Sequence, residues 1–190
     1  PITKFYDTRK LPFEDMEVDK FTSHTRGFIK IQDGCNNYCS YCIIPYVRGN
    51  IRSKDIDVAL KEAKELVANN HKEIVLTGIH TGSYGVGYDF DLVDLINKMS
   101  TIPGLKRIRL SSVEITELND KFMELLKNNA ILCDHLHIPL QSGSEKILKL
   151  MNRKYDKARY ESIINQIRAI RPEISITTDV IVGFPGETES

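Results

Sequence analysis

Short apolar runs alternate along the chain with segments whose apolar residues recur at helical spacing. The runs are rich in branched residues and predict strands at residues 28–31, 73–77, 107–111, 135–140 and 174–182. Helical spacing is found near residues 56–67, 92–99, 118–126 and 163–170. Strands that alternate with helices predict β/α units and a parallel sheet whose strands are buried on both faces.

Two features favour a barrel-like curl of this sheet over an open, doubly wound arrangement. No Gly-x-Gly-x-x-Gly turn follows the first predicted strand, so the usual dinucleotide fingerprint is absent. Working groups lie at the carboxyl ends of strands in β/α barrels, and polar or special residues follow each strand here: Asp33-Gly34-Cys35, Thr77-Gly78, Ser112 with Glu114, Gln141-Ser142-Gly143, and Gly183 to Glu187. A complete eight-unit barrel takes about 250 residues. We therefore predict an α/β fold, a partial parallel (β/α) barrel of about five units.

The composition is that of an ordinary globular domain, with 190 residues of which 41% are hydrophobic. Twenty-six Lys and Arg balance twenty-six Asp and Glu, so the chain lacks the basic balance of a stand-alone nucleic-acid binder. No stretch approaches the roughly 20 apolar residues of a membrane span. The first ten residues are too polar for a secretory signal. We therefore expect a cytoplasmic protein with no membrane partner.

Residues 1–26 differ from the rest of the chain. They mix charge with scattered aromatic residues and show no sustained period, which predicts a linker or a strap that lies on a neighbouring domain. The core domain is then predicted at residues 27–190. The chain begins at Pro1 rather than Met and stops directly after a strand-like run. We expect it to be a fragment of a longer protein, with function divided between this part and the remainder.

Three cysteines, Cys35, Cys39 and Cys42, lie within eight positions directly after the first predicted strand. Thiolates are the ligands of iron–sulfur clusters, and a four-iron cluster normally takes four of them. If the protein supplies three, one iron keeps an open position for a substrate or cofactor, as in catalytic metal sites. The trio therefore favours a [4Fe–4S] cluster with an open iron.

Two other interpretations of the trio remain. One is a zinc site completed by Cys133 or a histidine, and the other is a disulfide, which a cytosolic chain disfavours. Cys133 precedes the fourth predicted strand, so we expect it at the amino end of the barrel, opposite the trio. A cysteine in that place is most often a small buried apolar residue.

The cysteine spacing is C-x3-C-x2-C, with Tyr41 directly before the last cysteine. This motif after a first strand resembles the signature of the radical S-adenosylmethionine (SAM) superfamily, which implies a barrel of the radical SAM type. In that family the amino nitrogen and carboxylate of SAM chelate the open iron. Reduction of the cluster then cleaves SAM to a 5'-deoxyadenosyl radical, which abstracts hydrogen from an unactivated carbon. The cofactor performs this chemistry, while the protein supplies orientation and excludes water.

The resemblance also implies contacts to SAM by Tyr41, Glu114, Gln141 and Arg153. Glu114 follows the third strand and resembles the family's polar contact to SAM, and its alternative role is to cap a helix. Gln141 closes the fourth strand, where an amide could instead tie down the loop. Arg153 could bind a carboxylate with its planar guanidinium, or it could be a surface cation.

Asp179 lies inside the predicted apolar strand at residues 174–182, where a carboxylate costs free energy unless it is hydrogen-bonded. A pair of ribose hydroxyls would satisfy it, and Ile181 and Val182 could flank adenine. Residues 178–187 resemble the fifth-strand SAM motif of the family.

The histidines carry weaker signals. Residues 76–80, Leu-Thr-Gly-Ile-His, occupy the place where many radical SAM enzymes carry Gly-Gly-Glu. His80 lies in that segment, and a lone loop histidine is more often neither an acid nor a base. His135 and His137 alternate with apolar neighbours, which predicts packing or supporting roles.

Several further blocks narrow the resemblance to the methylthiotransferases. They are Lys30-Ile-Gln-Asp-Gly-Cys35, Cys42-Ile-Ile-Pro-Tyr-Val-Arg48-Gly49, Leu76-Thr-Gly-Ile-His-Thr-Gly-Ser-Tyr-Gly85, His135-Leu-His-Ile-Pro-Leu-Gln-Ser-Gly-Ser144 and Gly183-Phe-Pro-Gly-Glu-Thr188. The set is most similar to the subfamily that methylthiolates carbon 2 of N6-threonylcarbamoyladenosine 37 in tRNA. Related subfamilies act on isopentenyladenosine of tRNA or on an aspartate of ribosomal protein S12.

That family implies partners beyond this chain. A second [4Fe–4S] cluster is held by an amino-terminal domain, tRNA is bound partly by a carboxyl-terminal TRAM domain, and an electron donor such as a flavodoxin or ferredoxin reduces the first cluster. We expect this chain alone to bind one cluster without methylthiolating tRNA. The alternatives of another class are a non-catalytic zinc or iron–sulfur module, a different radical SAM reaction and a metal-free barrel enzyme.

Overall fold

Parallel strands separated by helices form the framework of the protein, a computed structural model that describes residues 7, 11–16, 18, 21 and 25–189. The strands in chain order are β1 (Arg26–Lys30), β2 (Gln32–Asp33), β3 (Arg52–Ser53), β4 (Glu73–Thr77), β5 (Arg107–Leu110), β6 (His135–His137) and β7 (Ser175–Thr177). The helices are α1 (Ile44–Val47), α2 (Ile56–Ala68), α3 (Leu92–Ser100), α4 (Asp120–Asn128), α5 (Glu145–Leu150) and α6 (Lys157–Ile170).

The parallel strands follow one another in space in the order in which they occur along the chain. β1 pairs with β4, and β4 pairs with β5, so that Ile29, Leu76 and Leu110 are register neighbours. β6 pairs with β7, and an isolated parallel bridge from Ile108 to Leu132 leads from β5 towards β6. Sequential order with helical crossovers is the topology of a singly wound barrel. The structure thus confirms the predicted partial parallel (β/α) barrel.

The helices form one layer on the outside of this curved sheet. Neighbouring helices α2, α3, α4 and α6 contact one another in that order. Fully buried Ile29, Leu76, Ile108 and Leu136 point from the strands into the core that the helices share. A parallel sheet needs such cover because its strands carry long apolar runs.

The opposite face of the sheet differs from the prediction that the strands are buried on both faces. Exposed or half-buried side chains alternate with buried ones along β1, β5 and β6. Because side chains alternate between the faces of a strand, Arg109, His135 and Thr177 share this second face. Along these strands the second face is therefore more exposed than the face that the helices cover, whereas β4 between them is buried on both faces as predicted.

The predicted strands at 135–140 and 174–182 are too long. Regular pairing ends where the Ile138 amide donates to the carbonyl of Thr177, at 2.9 Å. The next amide available for pairing, that of Leu140, donates instead to the side-chain hydroxyl of Thr178, at 2.8 Å. Pro139 between them has no amide hydrogen. The ladder therefore stops, and only an isolated bridge between Gln141 and Val180 continues it.

Part of the predicted strap at residues 1–26 lies outside the described residues, and β1 begins at Arg26, within it. Of the described residues, the Val18 amide donates to Glu62 at 3.3 Å, and the Lys54 ammonium donates to the carbonyl of Met16 at 3.3 Å. Lys54 and Glu62 form an ion pair with side chains 0% and 1% exposed. In the part of the chain that the structure describes, no helix combines the length and apolarity needed to cross a bilayer.

Candidate functional site

The three clustered cysteines lie on the loop that follows β2, at the carboxyl end of the first parallel strand. Their thiols are free, and each residue is partly exposed. A tight turn joins Cys39 and Cys42, because the Cys42 amide donates to the Cys39 carbonyl at 2.9 Å. The loop then passes into the short helix α1.

A glycine fixes the start of this loop. Gly34 has a φ of +74°, which favours glycine, and an added Cβ would lie 1.9 Å from the carbonyl oxygen of Asn50. That close approach lets the Cys35 amide donate to the Gly49 carbonyl at 3.1 Å. Only glycine fits this position. The close approach of Gly34 to Asn50, beside the short β2–β3 pair, therefore determines where Cys35 lies.

The two residues before Gly34, Gln32 and Asp33, stabilise the start of the loop with side-chain hydrogen bonds. The buried Gln32 amide nitrogen donates to the Gly34 carbonyl at 2.6 Å, and its oxygen accepts from the His80 backbone at 2.7 Å. Asp33 accepts from the Gly34 amide at 2.8 Å and from Lys30 at 2.7 Å. Burial opposes its ionisation, but these contacts lower the pKa of Asp33. Both side chains therefore serve the loop geometry.

The end of α5 holds the middle of the cysteine loop. Ser40 donates from its amide to the Met151 carbonyl at 3.1 Å and from its hydroxyl to the Leu150 carbonyl at 2.8 Å. The Asn152 side chain donates to the Tyr38 carbonyl at 2.8 Å. These contacts have no signal in the sequence, because 110 or more residues separate the partners.

Arg153 connects two of the sequence-predicted residues to a cysteine. Its side chain is only 4% exposed and forms an ion pair with Glu114. The other guanidinium nitrogen donates to the Cys39 sulfur and to the Tyr41 hydroxyl, each at 3.3 Å. Burial lowers the pKa of Arg153, but the Glu114 carboxylate raises it above its usual range. Tyr41, Glu114 and Arg153 therefore form one group around Cys39, and Arg153 is not a surface cation.

His80 has the same relation to Cys35, and sequence reasoning did not assign it a role. Its Nδ1 lies 3.9 Å from the Cys35 sulfur, while Nε2 forms an ion pair with Glu117. Burial lowers the pKa of His80, but the contacts with Cys35 and Glu117 raise it to about 10. For Cys35, burial raises the thiol pKa, whereas His80 and the Asn37 amide lower it, and the net shift is downward. A sequence signal for such a role was the position of His80 shortly after β4, because β4 pairs with β1, the strand that leads to the cysteine loop.

The two cation–thiol contacts belong to one network of ion pairs and hydrogen bonds. Glu117 also accepts from the Glu114 backbone amide at 3.0 Å, which caps the turn Ile115–Glu117. Glu114 therefore has the capping role weighed for it, since it begins this helical turn, and it also forms an ion pair with Arg153. The network runs in order through Cys35, His80, Glu117, Glu114, Arg153 and Cys39.

The remaining predicted residues lie at the ends of β6 and β7. The Gln141 backbone donates to the Asp179 carbonyl at 2.8 Å, with Gln141 at a φ of +66°. The Asp179 side chain is 69% exposed and lies 3.2 Å from His137 Nε2. Val182 is 83% exposed. The Phe184 ring approaches the Tyr41 ring edge-on at 6.4 Å, which brings the chain after β7 to the cysteine loop.

The donor chemistry of the loop suits an iron–sulfur cluster, because it offers thiols with N–H donors directed at two of them. Among the residues that the structure describes, no three His, Cys, Asp or Glu side chains already converge as a site for a single metal ion. In a cluster each thiolate binds a different iron, so the thiols need not meet at one point. Cys133 is buried where its amide donates to the Ile108 carbonyl at 2.9 Å, near the amino end of β5.

Comparison with known proteins gives a family match over most of the chain. The model of the radical SAM superfamily matches residues 29–190. The chain is 46% identical over 93% of its length to the threonylcarbamoyladenosine tRNA methylthiotransferase MtaB of Bacillus subtilis, and 44% identical over 94% to that of Thermotoga maritima. It is 42% identical over 93% to the tRNA-2-methylthio-N(6)-dimethylallyladenosine synthase of Clostridium perfringens. The chain spans 40% to 42% of the length of these relatives.

Solved structures share the fold at low sequence identity. The cobalamin-dependent SAM radical enzyme OxsB superimposes with a TM-score of 0.65 at 13% identity, over 81% of this chain and 23% of that one. The radical SAM methyltransferase TsrM of Kitasatospora setae superimposes with a TM-score of 0.61 at 18% identity, over 81% of this chain and 30% of that one.

Proposed function

The chain belongs to the radical SAM superfamily, and we propose that in its full-length protein it is the core of a tRNA methylthiotransferase. The proposed reaction places a methylthio group on carbon 2 of N6-threonylcarbamoyladenosine 37. The cysteine loop carries this proposal, because it presents three free thiols at the carboxyl end of the barrel and directs cations at two of them. The names and identities of the relatives support the choice of substrate.

Cys35, Cys39 and Cys42 would hold a [4Fe–4S] cluster. When bound, the cluster and SAM supply one-electron chemistry able to remove hydrogen from an unactivated carbon. The protein contributes N–H donors to sulfur from Arg153 and Asn37, at 3.3 and 3.4 Å. Such hydrogen bonds favour the thiolate form that binds iron and help set the cluster potential.

The SAM contacts are proposed for two groups of residues. Tyr41, Glu114 and Arg153 lie beside Cys39, where the ion pair keeps Arg153 and Glu114 in fixed positions. Gln141, Asp179 and Val182 lie where β6 and β7 end, at the carboxyl-end face on which β/α barrels place their ligands. Within the second group, we assign Asp179 to the ribose and exposed Val182 to one side of adenine.

The rest of the reaction requires partners that this chain does not supply. We propose tRNA as the substrate, a second [4Fe–4S] cluster in an amino-terminal domain to which residues 1–26 are the linker or strap, and a flavodoxin or ferredoxin as electron donor. Contacts of Val18 and Met16 with Glu62 and Lys54 support a strap that joins such a domain to the barrel. We place the reaction in the cytoplasm, where tRNA is modified.

Nucleoside mass spectrometry of tRNA tests the substrate assignment. The full-length protein, reconstituted with iron and sulfide under anaerobic conditions, should convert N6-threonylcarbamoyladenosine to its 2-methylthio derivative in tRNA from a strain that lacks the activity. A Cys39→Ala protein is the matched control and should give no product. Methylthiolation of dimethylallyladenosine instead would assign the chain to the other tRNA subfamily.

Metal analysis tests the site independently of the substrate. Stoichiometric zinc, with no visible charge-transfer band after reconstitution, would support a non-catalytic metal module and contradict the proposed function.

A further inference from the structure

A chain of hydrogen bonds crosses the polar inner face of β6 and β7. His135 Nε2 lies 3.1 Å from the Thr177 hydroxyl, and the same hydroxyl lies 3.0 Å from His137 Nδ1. His137 Nε2 then lies 3.2 Å from Asp179 Oδ2. The register explains this arrangement, since His135 pairs with Ser175 and His137 pairs with Thr177. Side chains two residues apart on paired strands point to the same face.

The donor and acceptor chemistry of these side chains fixes the direction of each hydrogen bond in the series. A carboxylate has only acceptors, so His137 Nε2 must carry the hydrogen that bonds to Asp179. In a neutral imidazole the other nitrogen then accepts, and Thr177 donates its single hydroxyl hydrogen to His137 Nδ1. The Thr177 oxygen accepts in turn from His135 Nε2. Every hydrogen bond in the series is then satisfied with both histidines neutral.

The position of His135 agrees with this direction. Its Nδ1 is buried and has no hydrogen-bond partner among the described residues. Burial, with the nearby charge of Arg109, lowers the pKa of His135. A neutral His135 with its hydrogen on Nε2 leaves only a bare nitrogen unpaired, which costs less than a buried unpaired N–H of an imidazolium.

The backbone of Asp179 is held firmly although its side chain is exposed. The Asp179 carbonyl accepts from the Gln141 amide at 2.8 Å, and the preceding Thr178 hydroxyl accepts from the Leu140 amide at 2.8 Å. The carboxylate has about four lone-pair positions, and the contact with His137 occupies one. The others can accept from a ligand, because the side chain is 69% exposed.

We propose that His137 is a positioning residue that holds the Asp179 carboxylate ready to accept two hydrogen bonds from a vicinal diol, the ribose of SAM. Thr177 selects the required tautomer of His137. The inference rests on the proposed function, in which Asp179 binds the ribose. His137 does not contact the ligand and acts only through Asp179.

Two substitutions that differ by one methylene test the inference. In His137→Gln, the side-chain amide of the introduced glutamine reaches the place of Nε2 and keeps the donor to Asp179, whereas the shorter side chain of His137→Asn reaches only the place of Nδ1. In the full-length, cluster-loaded protein, we expect His137→Asn to raise the dissociation constant for SAM about tenfold, because the Asp179 carboxylate is then no longer held in position for the diol. His137→Gln should stay within about twofold of the parent. Equal weakening in both variants, or in neither, would overturn the inference.

Asp179→Asn separates this inference from the proposed function. We expect it to weaken SAM binding and to abolish the preference for SAM over its 2'-deoxyribose analogue, with little further loss on adding His137→Asn. Unchanged affinity in Asp179→Asn would remove the proposed ribose contact itself. A loss in Asp179→Asn with full affinity in His137→Asn would leave that contact in place and overturn only the role of His137.

The tautomer can be observed without the cluster or SAM. Nitrogen-15 spectra of histidine-labelled full-length apoprotein, recorded at alkaline pH, should show the ring hydrogen of His137 on Nε2. Thr177→Val, which removes the hydroxyl but keeps the shape, should increase the Nδ1–H form. A parent protein with the hydrogen on Nδ1 of His137 would contradict the proposed direction.

Discussion

Both ends of the partial barrel place cationic side chains near a cysteine, but the pKa of the thiol is lowered at one end and raised at the other. At the carboxyl end, which we call the cysteine rim (Cys35, Cys39 and Cys42 with His80 and Arg153), cations face partly exposed thiols. At the amino end, which we call the arginine network (Arg26, Arg107 and Arg109 around Glu73), cations surround a carboxylate. The fourth cysteine, Cys133, lies beside that network and is buried.

In the arginine network, all three cations contact the same carboxylate, that of Glu73. Arg26, Arg107 and Arg109 contact Glu73 at 3.3, 2.7 and 2.8 Å, and the Glu73 side chain is only 6% exposed. Burial raises the pKa of Cys133 despite the nearby arginines. At the cysteine rim, His80 and the Asn37 amide outweigh the effect of burial, and the pKa of the Cys35 thiol is lowered. The difference lies in what the cations face: His80 is directed at the Cys35 sulfur, whereas Arg107 and Arg109 are directed at the Glu73 carboxylate.

The largest expected difference between the two ends is in iron binding. Cys39→Ala should lower the iron content of the reconstituted full-length protein by about four atoms per chain, because the rim then supplies two ligands. Cys133→Ala is the matched control and should bind as much iron as the parent. Iron analysis with the visible absorption spectrum measures both. Similar losses in the two variants would place Cys133 among the ligands.

The arginine network should dominate stability at its end of the barrel. Glu73→Gln leaves the arginines without a counter-charge and should lower the free energy of unfolding by about 2 kcal/mol, measured by urea denaturation. Glu161→Gln is the control, since Glu161 is 62% exposed and its contact with Lys157 is 3.7 Å long. That variant should change stability by less than about 0.5 kcal/mol. Equal effects would mean that the network contributes no more than a surface ion pair.

The contribution of Glu73 to the free energy of unfolding should also depend on pH. Burial alone would raise the pKa of Glu73, but hydrogen bonds from Arg109 and Arg107 lower it below its ordinary value of 4.5. An acid whose pKa is lower in the folded state stabilises the fold above its ordinary pKa, and this contribution is lost as pH falls below it. Glu73→Gln should therefore show a smaller loss of stability than the parent between about pH 5 and pH 3.

Thiol reactivity compares the two ends directly in the apoprotein. Cys35 should react with iodoacetamide at least about tenfold faster than Cys133 near pH 7, because its lowered pKa gives more thiolate. Peptide mass spectrometry after timed quenching gives both rates in one sample. Unfolding in urea should bring the rates together, and a difference that persists there would point to local sequence rather than to the fold.

The smallest expected effect is that of His80. His80→Gln removes the charge that faces Cys35 but keeps a polar side chain. The rate of Cys35 alkylation near neutral pH should fall about threefold, while Cys39, held by Arg153, serves as an unchanged reference. In the loaded protein, the cluster potential should become more negative, because a donor to sulfur stabilises the reduced, more negative cluster. A potential equal to that of the parent would limit His80 to a structural role.

The sequence predicted the elements with strong local patterns. The strand at Glu73–Thr77 has the predicted bounds, and the helical spacing at 56–67 corresponds to α2, which Asp55 caps with its side chain. The predicted helix at 118–126 begins later, because Asn119 caps it and Leu118 precedes the cap. The short helices α1 and α5 were not predicted, since four and six residues hold too little periodicity.

Within the candidate site, the sequence singled out the cysteines, Tyr41, Glu114 and Arg153 as candidates, but not His80 and Glu117. His80 lies in a loop and Glu117 in the turn Ile115–Glu117, and no spacing distinguishes either residue in the sequence. Pairing of β1 with β4 brings the loop of Cys35 beside that of His80, 45 residues away. The Arg153–Cys39 contact likewise spans 114 residues.

The sequence by itself therefore determined the α/β architecture, the cysteine loop and the residue types of the site, because periodicity and ligand spacing are local properties of the chain. The tertiary structure decided which cation faces which thiol, that Cys133 is buried near the arginine network, and that His137 contacts Asp179. These are contacts between distant segments, and parallel strand pairing alone sets which loops meet at the carboxyl end of the barrel.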